Sequence, residues 1–178
     1  MSKNKVFKAA SNDSGFTLLE LLVIVLMVGI IAAIAAPGWL GYLNRQRVNR
    51  ARSDLAQVLQ QAQIDARQQN STRVVKIASD TPPQIEVSST PGTDGRVVEL
   101  GEQNDGLVLT GGPLAGAAVA SVTFDYKGEI VSDTLPFVFS VTNDQLGPAG
   151  VRCVVVTTLL GNIVQAEGEN CNDTAGFN

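Results

Sequence analysis

Histidine is absent from this chain of 178 residues, and imidazole triads, histidine acid–base chemistry and most zinc sites go with it. Cysteine is nearly absent. Cys153 and Cys171 are the whole supply and both lie in the last quarter; if that part of the chain is exported, they are expected to pair as an intradomain disulfide. No phosphate loop or dinucleotide fingerprint occurs. The formal net charge of −4 argues against a general nucleic-acid coat. Glu167 with Glu169, and Asp125 with Glu129, read as solvated turn and tail acids rather than catalytic pairs. Asn143-Asp144 and Asn172-Asp173 lack the alternating ligand spacing of a calcium loop. No enzyme, cofactor, metal site or small-molecule substrate is expected.

A further absence organises the chain. From Leu21 to Asn44 there is no charged side chain, and a run of about 20 apolar residues is enough for a helix to span a bilayer. Glu20 stands at the start of this run, where a carboxylate is expensive without a partner. Hydropathy alone fits a signal anchor with an acid at its edge. The junction does not suit an ordinary secretory signal, because the polar break Ser11-Asn12-Asp13-Ser14-Gly15 follows Lys3, Lys5 and Lys8 and precedes the apolar run. A secretory signal places its small-residue cleavage site after the run.

The wording of the junction, G-F-T-L-L-E-L-L-V from Gly15 to Val23, resembles the class III leader of type IV prepilins and type II secretion pseudopilins. The resemblance implies cleavage by prepilin peptidase between Gly15 and Phe16, N-methylation of Phe16, and a role for Glu20 in subunit assembly through a neighbour's terminal amine. It implies that the chain sits first in the bacterial inner membrane, single-pass with its C-terminal part outside the cytoplasm, and then in a pilus or pseudopilus fibre. Gly29 and Pro37 stand where many pilins have helix-loosening residues. The basic residues Arg45, Arg47, Arg50 and Arg52 outnumber the leader's lysines, so the positive-inside rule alone leaves orientation ambiguous or reversed. The peptidase motif and the cysteine pair require a cytoplasmic leader. The arginines are then expected to meet lipid headgroups or acidic neighbours in a fibre.

At Pro37-Gly38 a kink or a locally melted turn is expected, because proline lacks the amide hydrogen of an interior helix bond. Trp39 and Tyr42 suit a membrane–water interface. The helix then resumes with an apolar stripe of Val48, Ala51, Leu55, Val58, Leu59, Ala62 and Ala66 at steps of three and four. Gln57, Gln60, Gln61 and Gln68 mark the opposite face, and Asn70-Ser71 should end the helix. Beyond it the period becomes two. Candidate strands are 72–78, 84–88, 96–100, 106–110, 118–126, 129–131, 137–141, 151–157 and 163–166. Turns are expected at Pro82-Pro83, 91–95, Gly111-Gly112-Pro113, Lys127-Gly128 and Gly161-Asn162. The small-residue stretch 111–117 has no evident place.

Short strands, tight turns and no second helix imply an α+β fold: a long N-terminal transmembrane and spine α-helix packed on an antiparallel β-sheet globular domain. The boundaries read as leader 1–15, membrane half 16–44, amphipathic half 45–70 and β-rich domain 71–178. The segments V-T-F-D-Y-K-G-E-I-V (122–131) and V-R-C-V-V-V-T-T-L-L-G-N-I-V (151–164) resemble minor subunits of the GspH/FimT-like family. Members implicated in DNA uptake carry arginines after the final hairpin glycine. Here no Lys or Arg follows Arg152, while Glu167, Glu169 and Asp173 do, so DNA binding is not expected. The reading is a non-catalytic minor type IV pilin or pseudopilin whose partners are prepilin peptidase and other pilin subunits. The alternatives are a type II secretion pseudopilus subunit, or a signal-anchored extracytoplasmic binding domain that never polymerises.

Overall fold

The computed structural model describes residues 15–89, 95–101, 106–113, 121–131 and 135–171, without the side chains of 36–37. The expectations for the leader before Gly15, the turn at 91–94, the stretch 114–117 and Asn172-Asp173 lie outside the described residues. The chain forms two compact units, Met1–Trp39 and Leu40–Asn178. Helix α1 (Leu18–Gln68) contributes to both.

In the first unit, Leu18–Ala35 of α1 is apolar apart from Glu20, a stretch of 18 residues with mean hydropathy 2.9 and no part buried. That is long and apolar enough to cross a membrane. The helix runs through Pro37 and Gly38 without a break, so the melted turn expected there is not found. One missing amide hydrogen removes a single bond from a ladder that continues on both sides.

In the second unit, the stripe from Val48 to Ala66 is buried in full, and Ala56 joins it. It packs against two four-stranded antiparallel sheets. One has the order β3-β2-β1-β5, built from β1 (Arg73–Ser79), β2 (Gln84–Ser88), β3 (Arg96–Glu99) and β5 (Ser121–Phe124). The other has the order β4-β6-β7-β8, from β4 (Leu107–Pro113), β6 (Phe137–Asn143), β7 (Arg152–Val156) and β8 (Ile163–Glu167). Val75, Ile85, Val122 and Phe124 of the first sheet and Leu107, Leu109, Phe137, Phe139, Val154 and Val156 of the second join the helix stripe in one core. Val138, Cys153, Val155 and Cys171 form a second, smaller cluster. Both faces of β7 are therefore covered, and this explains why R-C-V-V-V reads as an apolar run rather than an alternation. The Cys153–Cys171 disulfide, Cα–Cα 5.8 Å, closes the second cluster.

The helix end is set locally. Asn70 takes a left-handed φ of 49°, and the Ser71 amide donates to the Ala66 carbonyl at 3.1 Å. This is a Schellman ending with asparagine in the position that usually holds glycine.

Two further expectations fail. The residues 129–131 form no strand, only an isolated bridge between Phe124 and Ile130. Their hydrogen bonds are divided: Val131 donates to Thr123 (2.9 Å), while Ile130 donates to Leu159 (2.7 Å) on the β7–β8 connection. Gly111-Gly112-Pro113 forms no turn but the end of β4, paired with Phe139, Val138 and Phe137. Gly111 is small because of packing: a Cβ there would stand 2.9 Å from Ile77 Cδ1 and 3.1 Å from Phe139 Cδ1. Pro113 is tolerated because β4 is an edge strand.

Candidate assembly site

The residues singled out by the junction motif gather at the start of α1. Gly15, Phe16 and Thr17 precede the helix. Thr17 caps it, its Oγ1 accepting the Glu20 amide at 3.2 Å while its carbonyl accepts the Leu21 amide at 3.1 Å. Thr17-Leu18-Leu19-Glu20 thus has the T-x-x-E wording of a capping box. Thr17 was missed in reading the sequence, although that spacing carried the signal. Glu20 falls in the first helical turn, where the helix dipole favours a negative charge. The carboxylate is exposed along with the apolar side chains that follow it, and Phe16 is 76% exposed.

Among the described residues, a Cβ at position 15 meets nothing within 4 Å. Gly29, Gly38 and Gly41 are equally open.

In the second unit, the arginine run does not behave as one group. Arg45 is exposed and Arg47 half-buried, but Arg52 turns into its own domain. Its Nη1 donates to the Ala166 carbonyl at 3.5 Å, and its Nε is buried without a hydrogen-bond partner. Burial lowers the Arg52 guanidinium from its ordinary value, Arg152 pushes it the same way, and Glu167 opposes them. The expectation that Arg52 meets lipid or a neighbouring subunit is corrected accordingly. Arg152 Nε donates to Asn49 Oδ1 at 3.0 Å and lies 3.3 Å from Glu167 Oε2. Its Nη1 donates to the Ala149 and Val151 carbonyls at 3.1 and 3.0 Å.

Asp125 and Asn143 are occupied by turns. Asp125 Oδ1 accepts the Lys127 and Glu129 amides, both at 2.8 Å, and Asn143 Oδ1 accepts the Gln145 amide at 2.9 Å. Among the described residues no group of three His, Cys, Asp or Glu is placed to hold a metal ion.

Residues 10–36 match the family described as the prokaryotic N-terminal methylation motif. Among curated relatives, the chain is 32% identical over 81 residues to Fimbrial protein Q of Moraxella bovis, spanning 46% of this chain and only 52% of that protein. It is 31% identical over 127 residues to a Fimbrial protein of Pseudomonas aeruginosa, spanning 66% of this chain and 81% of that protein. Among solved structures, the fold is similar to the type IV minor pilin FimU of Pseudomonas aeruginosa. The TM-score is 0.54 at 19% identity, over 70% of this chain and 92% of that one. It is also similar to the minor pseudopilin EpsH from the Type 2 Secretion System of Vibrio cholerae, with TM-score 0.50 at 15% identity, over 68% of this chain and 97% of that one. The chain carries the methylation motif and is 31% identical to a fimbrial protein over four-fifths of that protein's length, and it belongs to the type IV pilin family of fimbrial proteins.

Proposed function

We propose that this chain is a minor pilin or pseudopilin, a structural subunit without catalysis of its own, matured by prepilin peptidase and assembled with other pilins through its N-terminal helix. Cleavage between Gly15 and Phe16 frees an amine one residue before the Thr17 cap, and that amine is then methylated. The first turn of α1 carries Glu20, four residues after Phe16. In the apolar medium of packed membrane helices, an unpaired carboxylate is costly. A neighbouring subunit's amine at the same depth relieves that cost and fixes the stagger between subunits. Before assembly the chain spans the inner membrane once, with Leu40–Asn178 outside the cytoplasm. The disulfide supports that placement, since such bonds persist in oxidising compartments.

The observation that carries the reading is the methylation motif matched over residues 10–36, with Gly15 and Phe16 inside the match and directly ahead of the exposed apolar helix. The test is Gly15→Val with N-terminal mass spectrometry of the membrane-bound chain. Full-length precursor is the expected result, and a Phe16 terminus in that variant overturns the proposal. A second reading, a subunit of a type II secretion pseudopilus, is favoured by the likeness to EpsH. Co-isolation with secretion-system rather than pilus components distinguishes the two.

A further inference from the structure

The arginines that follow the membrane-length run are a charged group that the assembly site leaves unused. Arg45 is the first charged residue after Glu20, and no Asp or Glu occurs from Leu21 to Ser53. Wherever a bilayer ends on the C-terminal side of the apolar run, Arg45 and Arg47 are the first charges to meet it. The two lie about 200° apart around the helix, at about 100° per residue. They stand on opposite flanks of the side that faces the domain. That side is marked by Asn44 and Val48, both buried, and Asn44 Nδ2 donates to Gln145 Oε1 at 2.7 Å. Arg45 is exposed and Arg47 half-buried. Among the described residues, neither has a hydrogen bond or ion pair. Arg52, by contrast, is drawn into its own domain through Ala166.

We infer that Arg45 and Arg47 form a seat for anionic phospholipid, with a headgroup phosphate on each flank of the helix, outside the cytoplasm. This rests on the membrane placement proposed above. The guanidinium fork matches phosphate oxygens in two-point, charge-assisted hydrogen bonds. Each long side chain lays its methylene stem along the helix and carries its head to the interface. Tyr42, exposed one turn before Arg45, suits the same layer. The arrangement of charge selects lipid over a flat partner. A duplex or a single protein face reaches one flank of a helix, whereas lipid surrounds it. The positive-inside rule disfavours a basic run on this side of the membrane, and pairing with phosphate offsets that disadvantage.

The experiment uses the full chain and its single tryptophan, Trp39, as the reporter. The protein is reconstituted in mixed phosphatidylcholine and phosphatidylglycerol vesicles in which one lipid or the other carries brominated, fluorescence-quenching chains. The ratio of the two quenching curves gives the preference for the anionic lipid. A preference of roughly fivefold for each arginine is expected at low salt, and 1 M NaCl should reduce it sharply. The double variant Arg45→Gln, Arg47→Gln should show a ratio of about one, and Arg52→Met should keep the wild-type ratio. A wild-type ratio near one, or an unchanged ratio in the double variant, overturns the lipid seat and leaves the membrane placement intact. An equal loss in Arg52→Met shows that net charge alone sets the preference, and this too overturns the assignment. Failure of either brominated lipid to quench Trp39 overturns the membrane placement as well.

Discussion

The side-chain amide of Gln63 donates to the Gly128 carbonyl at 2.9 Å, joining the spine helix to a turn 65 positions later. The same amide reaches the carbonyls of Leu160 at 3.0 Å and Gly161 at 3.3 Å, so one glutamine clamps two turns. Both turns hold glycine at positive φ, +76° at Gly128 and +74° at Gly161. A Cβ at Gly161 would stand 2.4 Å from Gln63 Nε2. Gly161→Ala is expected to cost about 1–3 kcal/mol, from left-handed strain and displacement of the clamp. Gln63→Ala should cost about 1–2 kcal/mol. Because both act on one contact, the double variant should lose clearly less than the sum. Urea unfolding measures all three, and strict additivity contradicts the clamp.

Removing the disulfide with Cys153→Ala and Cys171→Ala should destabilise the second unit by about 3 kcal/mol in the loop-entropy model. The loss should be felt first in the small cluster of Val138 and Val155, because Cys171 ends the turn that covers it. Hydrogen exchange should show faster opening of β7 than of β1 in that variant. Equal acceleration of both strands would show that the bond does not act locally.

The two arginines that meet across the domain should respond differently to replacement. Arg152 serves Asn49, Glu167 and two backbone carbonyls, and Arg152→Ala should cost about 1–3 kcal/mol by leaving those acceptors unpaired. Arg52 has a buried Nε without a partner and a charge disfavoured by burial and by Arg152. Arg52→Met should therefore be close to neutral or stabilising, within about 1 kcal/mol. Thermal unfolding decides, and a larger loss for Arg52→Met than for Arg152→Ala reverses the assignment.

Glu20→Ala is expected to yield a chain with a Phe16 terminus that stays in the membrane but enters fibres poorly. Thr17 still caps the helix through its own hydroxyl, so the substitution removes the carboxylate without unmaking the first turn. Sheared fibres from cells expressing both chains give the comparison. Equal incorporation argues against Glu20 as the assembly residue.

Double-stranded DNA should bind the unit Leu40–Asn178 weakly or not at all. Counterion release needs clustered cations that face phosphates together. Arg52 and Arg152 are engaged within the domain, and Glu167 and Glu169 follow Arg152 where related DNA receptors place arginines. A fluorescence anisotropy titration at physiological salt is the measurement. Micromolar or tighter affinity refutes this expectation.

What was legible in the sequence was what short-range chemistry decides. The apolar run, the helical stripe from Val48 to Ala66 and the β-branched segments all act over a few residues, so hydropathy and period suffice to read them. Glu20 was legible for the same reason, as a charge where the solvent forbids one. Tertiary structure decided matters that depend on partners far along the chain. Gly111 and Gly112 read as a turn because glycine loosens a backbone, yet Gly111 is there to admit Ile77 and Phe139. Residues 129–131 read as a strand because their side chains alternate, yet their amides are shared between Thr123 and Leu159. Arg52 read as one of a basic run, yet the fold turned it towards Ala166 and Arg152. Gln63 and Arg67, which no local pattern singles out, hold two turns to the helix. In each case local pattern specifies only what a residue tolerates, and packing between segments fixes what it contacts.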